Sequence, residues 1–173
     1  MDKVELLKEM DDLWTNFLQV RATYPYARPT HIGKTLIESP PYYRNKGLKF
    51  KLEFEKPLTD EDVKRLKGLG YWINQSVIIR LYALLEYYGI VSEEIKINHD
   101  LDGHDELDIL RRLRRYFVHT SKYNPADNEQ LKLFNRIIEH FKLSIYEKDV
   151  LPIPIDTVVE VIFKKIKKYI EQI

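Results

Sequence analysis

The sequence contains no cysteine in its 173 residues. This absence excludes disulfide bonds, cysteine nucleophiles and thiolate metal sites. The sequence also lacks a large excess of positive or negative charge, because it has 28 lysines and arginines and 27 aspartates and glutamates. A nearly neutral protein has no overall attraction to nucleic acid, so any basic surface that binds it must be local.

Long hydrophobic runs are missing as well. The first residues, Met1-Asp2-Lys3-Val4, carry charge from the second position onward and resemble no signal peptide. No uninterrupted apolar stretch approaches the length that crosses a bilayer. We therefore expect a cytoplasmic protein without membrane contact.

The composition that remains is typical of a folded protein. Hydrophobic residues make up 44% and charged residues 32% of the chain, a balance that supports a packed core. The length suits one domain of ordinary size. We predict a single helical domain over residues 1–173.

Apolar spacing at helical period predicts about five helices. Thr59 followed by three acidic residues indicates the start of the second helix, and Gly89 indicates its end. Gly68 and Gly70 leave two possibilities open for that region, one continuous helix or a short helix followed by a longer one. Asp156 is expected to cap the last helix. The predicted helical ranges are 2–22, 59–88, 104–118, 129–143 and 157–172.

A different pattern occupies residues 32–57. Phe50, Leu52 and Phe54 alternate there with charged residues, which is the period of a β-strand. Residues 44–47 precede this run and have the composition of a turn. The predicted fold is therefore mainly α, a bundle of about five helices with a small β-hairpin or arm between the first two major helices.

The third predicted helix ends in an arginine-rich segment followed by His119. On a helical wheel Arg114 falls at about 340°, between Leu110 at about 300° and Leu107 at zero, inside the apolar arc. Such an arginine is costly unless its charge is paired or lines a wet site. Alternatively, the aliphatic part of the arginine side chain lies on the apolar surface while its guanidinium group reaches water. Both interpretations stay open.

Two other polar residues stand out near this helix. His119 is suited to acid or base chemistry near neutral pH, although a histidine at a helix C-terminus also stabilises the helix dipole. Asn74 lies within the apolar arc of the second helix, where a buried amide needs partners. Arg114 is one candidate partner, and a backbone group is the alternative.

Arg114 and His119 are separated by four residues at a predicted helix end, and this arrangement resembles the motif of the HEPN superfamily. Residues 110–120 look like the third-helix motif of that family, and the preceding helix with Asn74 is also similar. The resemblance covers about residues 70–143, while the β insertion lies outside the common core. Arg112 also fits the allowed spacing, so the choice of arginine stays open.

The resemblance implies an all-helical, metal-independent endoribonuclease that acts as a homodimer without a cofactor. In that interpretation the RNA 2′-hydroxyl attacks the adjacent phosphate and leaves a cyclic phosphate. His119 is the general acid or base, and Arg114 stabilises the developing charge. The flanking arginines that would bind phosphate are Arg111, Arg112 and Arg115.

The geometry of a helix constrains this site. On a continuous helix Arg114 and His119 point about 140° apart. They converge only if the helix ends near Val118 or if two protomers share one cleft. The resemblance also implies a toxin or phage-defence system, with a minimal nucleotidyltransferase as a candidate antitoxin.

Two alternatives remain at the level of sequence. The first is a catalytically inactive HEPN-like module that binds RNA, a nucleotide or another protein. The second is a metal hydrolase, because nitrogen and oxygen ligands are concentrated before and within the third helix. Their spacing matches no known ligand pattern, and Asp102 and Asp105 are expected to cap the helix, so we expect no metal. The residues concerned are His99, Asp100, Asp102, His104, Asp105 and Asp108.

Overall fold

The computed structural model describes residues 2–24, 27–38, 50–92, 94–120, 123–144 and 150–173. Within these ranges the protein is mainly helical, with a two-stranded antiparallel hairpin between the first two helices. The prediction of a five-helix fold with a β insertion is confirmed. The elements are α1 (Lys3–Thr23), β1 (Leu36–Glu38), β2 (Lys51–Glu53), α2 (Asp60–Tyr87), α3 (His104–His119), α4 (Asn128–Phe141) and α5 (Glu160–Gln172).

The chain forms two compact units, one of residues 1–10 and 74–173 and the other of residues 11–73. The smaller unit contains the hairpin, in which Ile37 pairs with Leu52. Ile37 is buried beside Leu58 and Val63 in a small apolar core, whereas Lys51 and Glu53 of β2 face solvent. The predicted turn at residues 44–47 lies outside the described residues.

The start of α2 is capped as its sequence indicates. The backbone N–H of Asp62 donates to Thr59 Oγ1 at 3.1 Å, and the backbone N–H of Thr59 donates back to Asp62 Oδ2 at 3.0 Å. This reciprocal pair satisfies two N–H groups that a helix start leaves unpaired.

Of the two possibilities for the region around Gly68 and Gly70, the structure shows the continuous helix, because α2 runs unbroken from Asp60 to Tyr87. Gly70 does not break the helix; it leaves room for a side chain that packs closely against it. A Cβ atom there would lie 2.6 Å from Nη1 of the fully buried Arg21. The helix ends as predicted at Gly89, whose φ of 70° suits a residue without a side chain.

In the larger unit α3 packs between α4 and α5. Leu110 and Leu113 of α3 are fully buried, as are Ile162 and Ile166 of α5. Burying side chains of this size contributes about 2 kcal/mol each. This packing fixes the orientation of α3, which carries the arginine-rich segment.

The start of α3 is fixed against α5 rather than capped by an aspartate. The residue preceding the helix is Gly103, and no side chain caps the helix. Lys165 Nζ donates to Asp102 Oδ1 at 2.8 Å, and the Asp102 backbone N–H donates to Gln172 Oε1 at 3.1 Å. The expected capping roles of Asp102 and Asp105 are therefore wrong, and Asp102 instead holds α3 and α5 together.

The last helical segment also begins differently from its prediction. Residues 155–159 form a π-helical turn that leads into α5, and Pro154 precedes it without a side-chain cap. Asp156 therefore lies inside this turn and is not its cap. Across the described ranges, every helix is too short or too polar to cross a membrane.

Candidate site at the end of helix α3

Helix α3 continues through His119, and the backbone N–H of Thr120 donates to the Tyr116 carbonyl at 2.9 Å. The buried face differs from the predicted arc. On the helical wheel Val118 falls at about 20°, next to Leu107 and within the predicted arc, but it is 48% exposed, whereas Ile109 and Tyr116 are buried. The face that packs into the core is therefore rotated away from Val118. This rotation moves Arg114 from the middle of the apolar arc to its edge.

Arg114 is half-buried, and its guanidinium carbon lies 5.2 Å from the centroid of the Tyr82 ring on α2. A guanidinium at this distance is attracted to the ring face. No hydrogen bond or ion pair ties Arg114 to the described part of the chain. Its N–H donors are therefore not committed to a carboxylate.

Arg111 and Arg112 have a different environment, because both bind the buried carboxylate of Asp108. Arg111 Nη2 lies 2.6 Å from Asp108 Oδ1, and Arg112 Nε lies 3.0 Å from Oδ2. Spacings of three and four residues place these side chains together on a helix. Arg136 of α4 also binds Asp108, and its Nη2 lies 3.0 Å from Asp105 Oδ1.

The pKa of Asp108 is lowered by this arginine network. Burial raises the pKa of the carboxyl group, but the hydrogen bonds from Arg111 and Arg136 and the charges of Arg112 and Arg136 outweigh burial. Asp108 therefore stays ionised and hydrogen-bonded at neutral pH. Its contribution to stability is present above the ordinary aspartate pKa and is lost as the pH falls through the lowered value.

Arg115 and His119 are exposed, and the described residues form no hydrogen bond or ion pair with either side chain. Positions 112, 115 and 119 follow one another at spacings of three and four residues, so they share one face of α3. Arg114 points about 140° away from His119 because the helix is continuous between them. Within one chain, His119 therefore lies on the face of α3 that carries Arg112 and Arg115, and not on the face that carries Arg114.

Asn74 is 1% exposed and lies on α2. Its Nδ2 donates to the Ile153 carbonyl at 3.0 Å, while Oδ1 has no partner among the described residues. The backbone alternative for Asn74 is therefore the one observed, and Arg114 is not its partner. Asn74 ties α2 to the extended proline-containing segment before α5, which supports the bundle behind α3.

A separate polar pocket of about 320 Å³ lies at the opposite end of α3. His140 Nε2 lies 2.9 Å from Oε1 of the buried Glu106, and the rings of His99 and His104 are 5.1 Å apart. The pocket is lined by His99, Asp100, Leu101, Asp102, Gly103, His104, Asp105, Glu106, His140 and Lys165.

Three of the candidate metal ligands are paired with cationic side chains. Asp102 binds Lys165, Asp105 binds Arg136, and Asp108 binds the arginines of α3 and α4. In the described part of the chain no group of three histidine, aspartate or glutamate side chains is arranged to hold a metal ion. The described residues therefore provide no set of metal ligands that would support the alternative of a metal hydrolase.

The arginine network shows what sequence reasoning missed. Asp108 was a candidate metal ligand, yet its spacing to Arg111 and Arg112 already indicated ion pairs along one helix. The participation of Arg136 had no local signal, since it depends on how α4 packs against α3.

No protein-family model, curated protein or solved structure matches this chain. The similarity to the HEPN superfamily therefore rests on the residues of α3 and on their placement at the end of a helix.

Proposed function

We propose that this chain is a HEPN-like, metal-independent endoribonuclease that acts as a homodimer. One observation carries the proposal. His119 is the last residue of α3, its side chain is exposed, and it lies on the same helix face as Arg112 and Arg115. An imidazole beside guanidinium groups combines a proton-transfer group with phosphate ligands. Those are the two requirements of RNA cleavage by internal attack.

The chemistry follows from these groups. His119 removes the proton of a 2′-hydroxyl, whose oxygen then bonds to the adjacent phosphorus. Guanidinium donors stabilise the extra negative charge on the pentacoordinate phosphorus. The bond to the 5′-oxygen breaks, and this oxygen takes up a proton from water, while His119 returns the proton that it removed to solvent. The products are a 2′,3′-cyclic phosphate and a 5′-hydroxyl end.

The dimer in this proposal supplies Arg114. Arg114 and His119 diverge on a continuous helix, so His119 of one protomer is completed by Arg114 of the partner subunit. Two-fold pairing through the ends of α3 would place both sets in one cleft. Val118 is 48% exposed next to His119, which offers an apolar contact for such pairing.

The inactive alternative is favoured by one contact. The guanidinium of Arg114 rests on the Tyr82 ring, so its charge has a structural partner without substrate. In that case the chain binds RNA, a nucleotide or another protein without cleaving RNA. The biological setting suggested by the resemblance is a toxin or phage-defence system in the cytoplasm, with an antitoxin such as a minimal nucleotidyltransferase.

Cleavage of a labelled single-stranded RNA by the purified protein tests the proposal. We expect cleavage in excess EDTA, with cyclic phosphate ends, because no step needs a metal. A matched 2′-O-methyl RNA should stay intact, because it lacks the attacking hydroxyl. Cleavage that EDTA abolishes and Mg²⁺ restores would contradict the mechanism, and binding without cleavage would establish the inactive alternative.

A further inference from the structure

Asp108 of α3 gathers three arginines from two helices around one carboxylate. Its side chain is only 10% exposed, whereas those of Arg111, Arg112 and Arg136 are 37%, 47% and 32% exposed. The anchor is therefore inside, and the charged groups that it holds reach the surface. Arg136 is held at a second point by Asp105.

The arginines keep hydrogen-bond donors beyond those that the carboxylates use. A guanidinium has five N–H donors, and the contacts with Asp108 use Nη2 of Arg111 and Nε of Arg112. The remaining donors belong to partly exposed groups whose positions are fixed. Guanidiniums with fixed forks suit phosphate oxygens, which accept two parallel hydrogen bonds.

The charge balance of this surface favours an anion. Among the described residues, four guanidiniums, including that of the exposed Arg115, share this surface with the paired carboxylates of Asp105 and Asp108, and the charge of Arg112 also acts on the carboxylate of Glu129. The nearby acid Glu129 is paired with Lys132 at 2.8 Å. From Asp105 to His119 the face extends about 21 Å along the helix, which is long enough for several consecutive phosphates.

We infer that Asp108 is a positioning residue for an RNA-phosphate track formed by Arg111, Arg112 and Arg136, which leads along α3 to His119. This inference rests on the proposed ribonuclease function and assigns to it a new residue from α4. Asp108 contacts no RNA itself. It holds the arginines in the geometry that binds successive phosphates, so less side-chain freedom is lost when RNA binds.

The test measures binding of a fluorescent 2′-O-methyl RNA of mixed sequence, which the proposed chemistry cannot cleave. Asp108→Asn removes one negative charge from the surface, which makes it more positive, but loosens the arginines. Positioning predicts about tenfold weaker binding, whereas simple charge attraction predicts tighter binding. Asp156→Asn is the matched control, because it makes the same charge change at an exposed residue outside the arginine network.

Arg136→Gln provides a second variant that does not remove the buried anchor. We expect it to weaken binding and to lower the salt dependence, the slope of log affinity against log salt concentration, by about 0.7 for one lost phosphate contact. Circular dichroism verifies that each variant is folded at the assay temperature. If Asp108→Asn does not fold, Arg136→Gln decides the question.

Two results would overturn the inference: tighter binding by folded Asp108→Asn, or unchanged affinity and salt dependence in Arg136→Gln. Cleavage of ordinary RNA by the wild-type protein is measured in parallel. If wild type does not cleave but the variants lose binding as expected, the phosphate track stands and the nuclease proposal fails. If wild type cleaves and both variants bind normally, the track alone is wrong.

Discussion

Replacing His119 with alanine is expected to lower the rate of RNA cleavage by about 10²–10⁴-fold, the usual contribution of one acid–base group. The fold should not change, because His119 is exposed and forms no hydrogen bond or ion pair with the described residues. The measurement is the initial cleavage rate of labelled RNA in EDTA, with the thermal unfolding midpoint recorded beside it.

His99→Ala is the matched control for this change. His99 is also an exposed histidine, but it lies before the start of α3, at the end opposite to His119. We expect its cleavage rate to equal that of the wild type. A His119→Ala protein as active as wild type, or an equal loss of activity in both variants, would contradict the assignment of His119 as the acid or base.

The largest expected loss of stability comes from Gly103→Ala at the start of α3. Gly103 has a φ of 94°, and an added Cβ would lie 2.8 Å from the Lys165 carbonyl carbon and 3.3 Å from the Tyr169 Cβ. The positive φ costs about 1 kcal/mol for alanine, and the contact with the α5 backbone cannot be relieved by a rotamer change. We expect a total loss of about 3 kcal/mol in the free energy of unfolding, measured by denaturant titration.

Gly89→Ala separates the two parts of this cost. Gly89 has a similar φ of 70°, but an added Cβ would have no atom within 4 Å. Its loss should therefore be about 1 kcal/mol, from the backbone conformation alone. Equal losses at Gly89 and Gly103 would show that the close approach of α3 to α5 is not what fixes the start of α3.

The helices and the hairpin were predictable because each has a local signal. Alternation at Leu52 and the cap at Thr59 act over a few residues, and the structure contains both. The packing reason for Gly70 inside α2 was not predictable, because the atom that a Cβ there would meet belongs to Arg21, a residue far away in the sequence. The need for glycine at position 103 likewise becomes visible only in the folded structure, where α5 packs against it.

The candidate site was predictable in its residues and not in its geometry. The spacing of Arg114 and His119 could be seen in the sequence, but the rotation of α3 depends on the burial of Ile109 and Tyr116. That rotation puts Arg114 at the edge of the core, over the Tyr82 ring. It also leaves His119 on the face of Arg115, so the proposed function needs a second protomer to bring Arg114 to His119.

A heterodimer of Arg114→Ala and His119→Ala chains tests the central claim most directly. The two chains are co-expressed with different tags and purified through both, so that each dimer holds one chain of each kind. If His119 works with Arg114 of the partner subunit, one of the two sites is intact, and cleavage should recover to about half of the wild-type rate. Each homodimeric variant alone should be inactive. A heterodimer as inactive as the two homodimers, when the wild type cleaves the same RNA, would contradict the shared site.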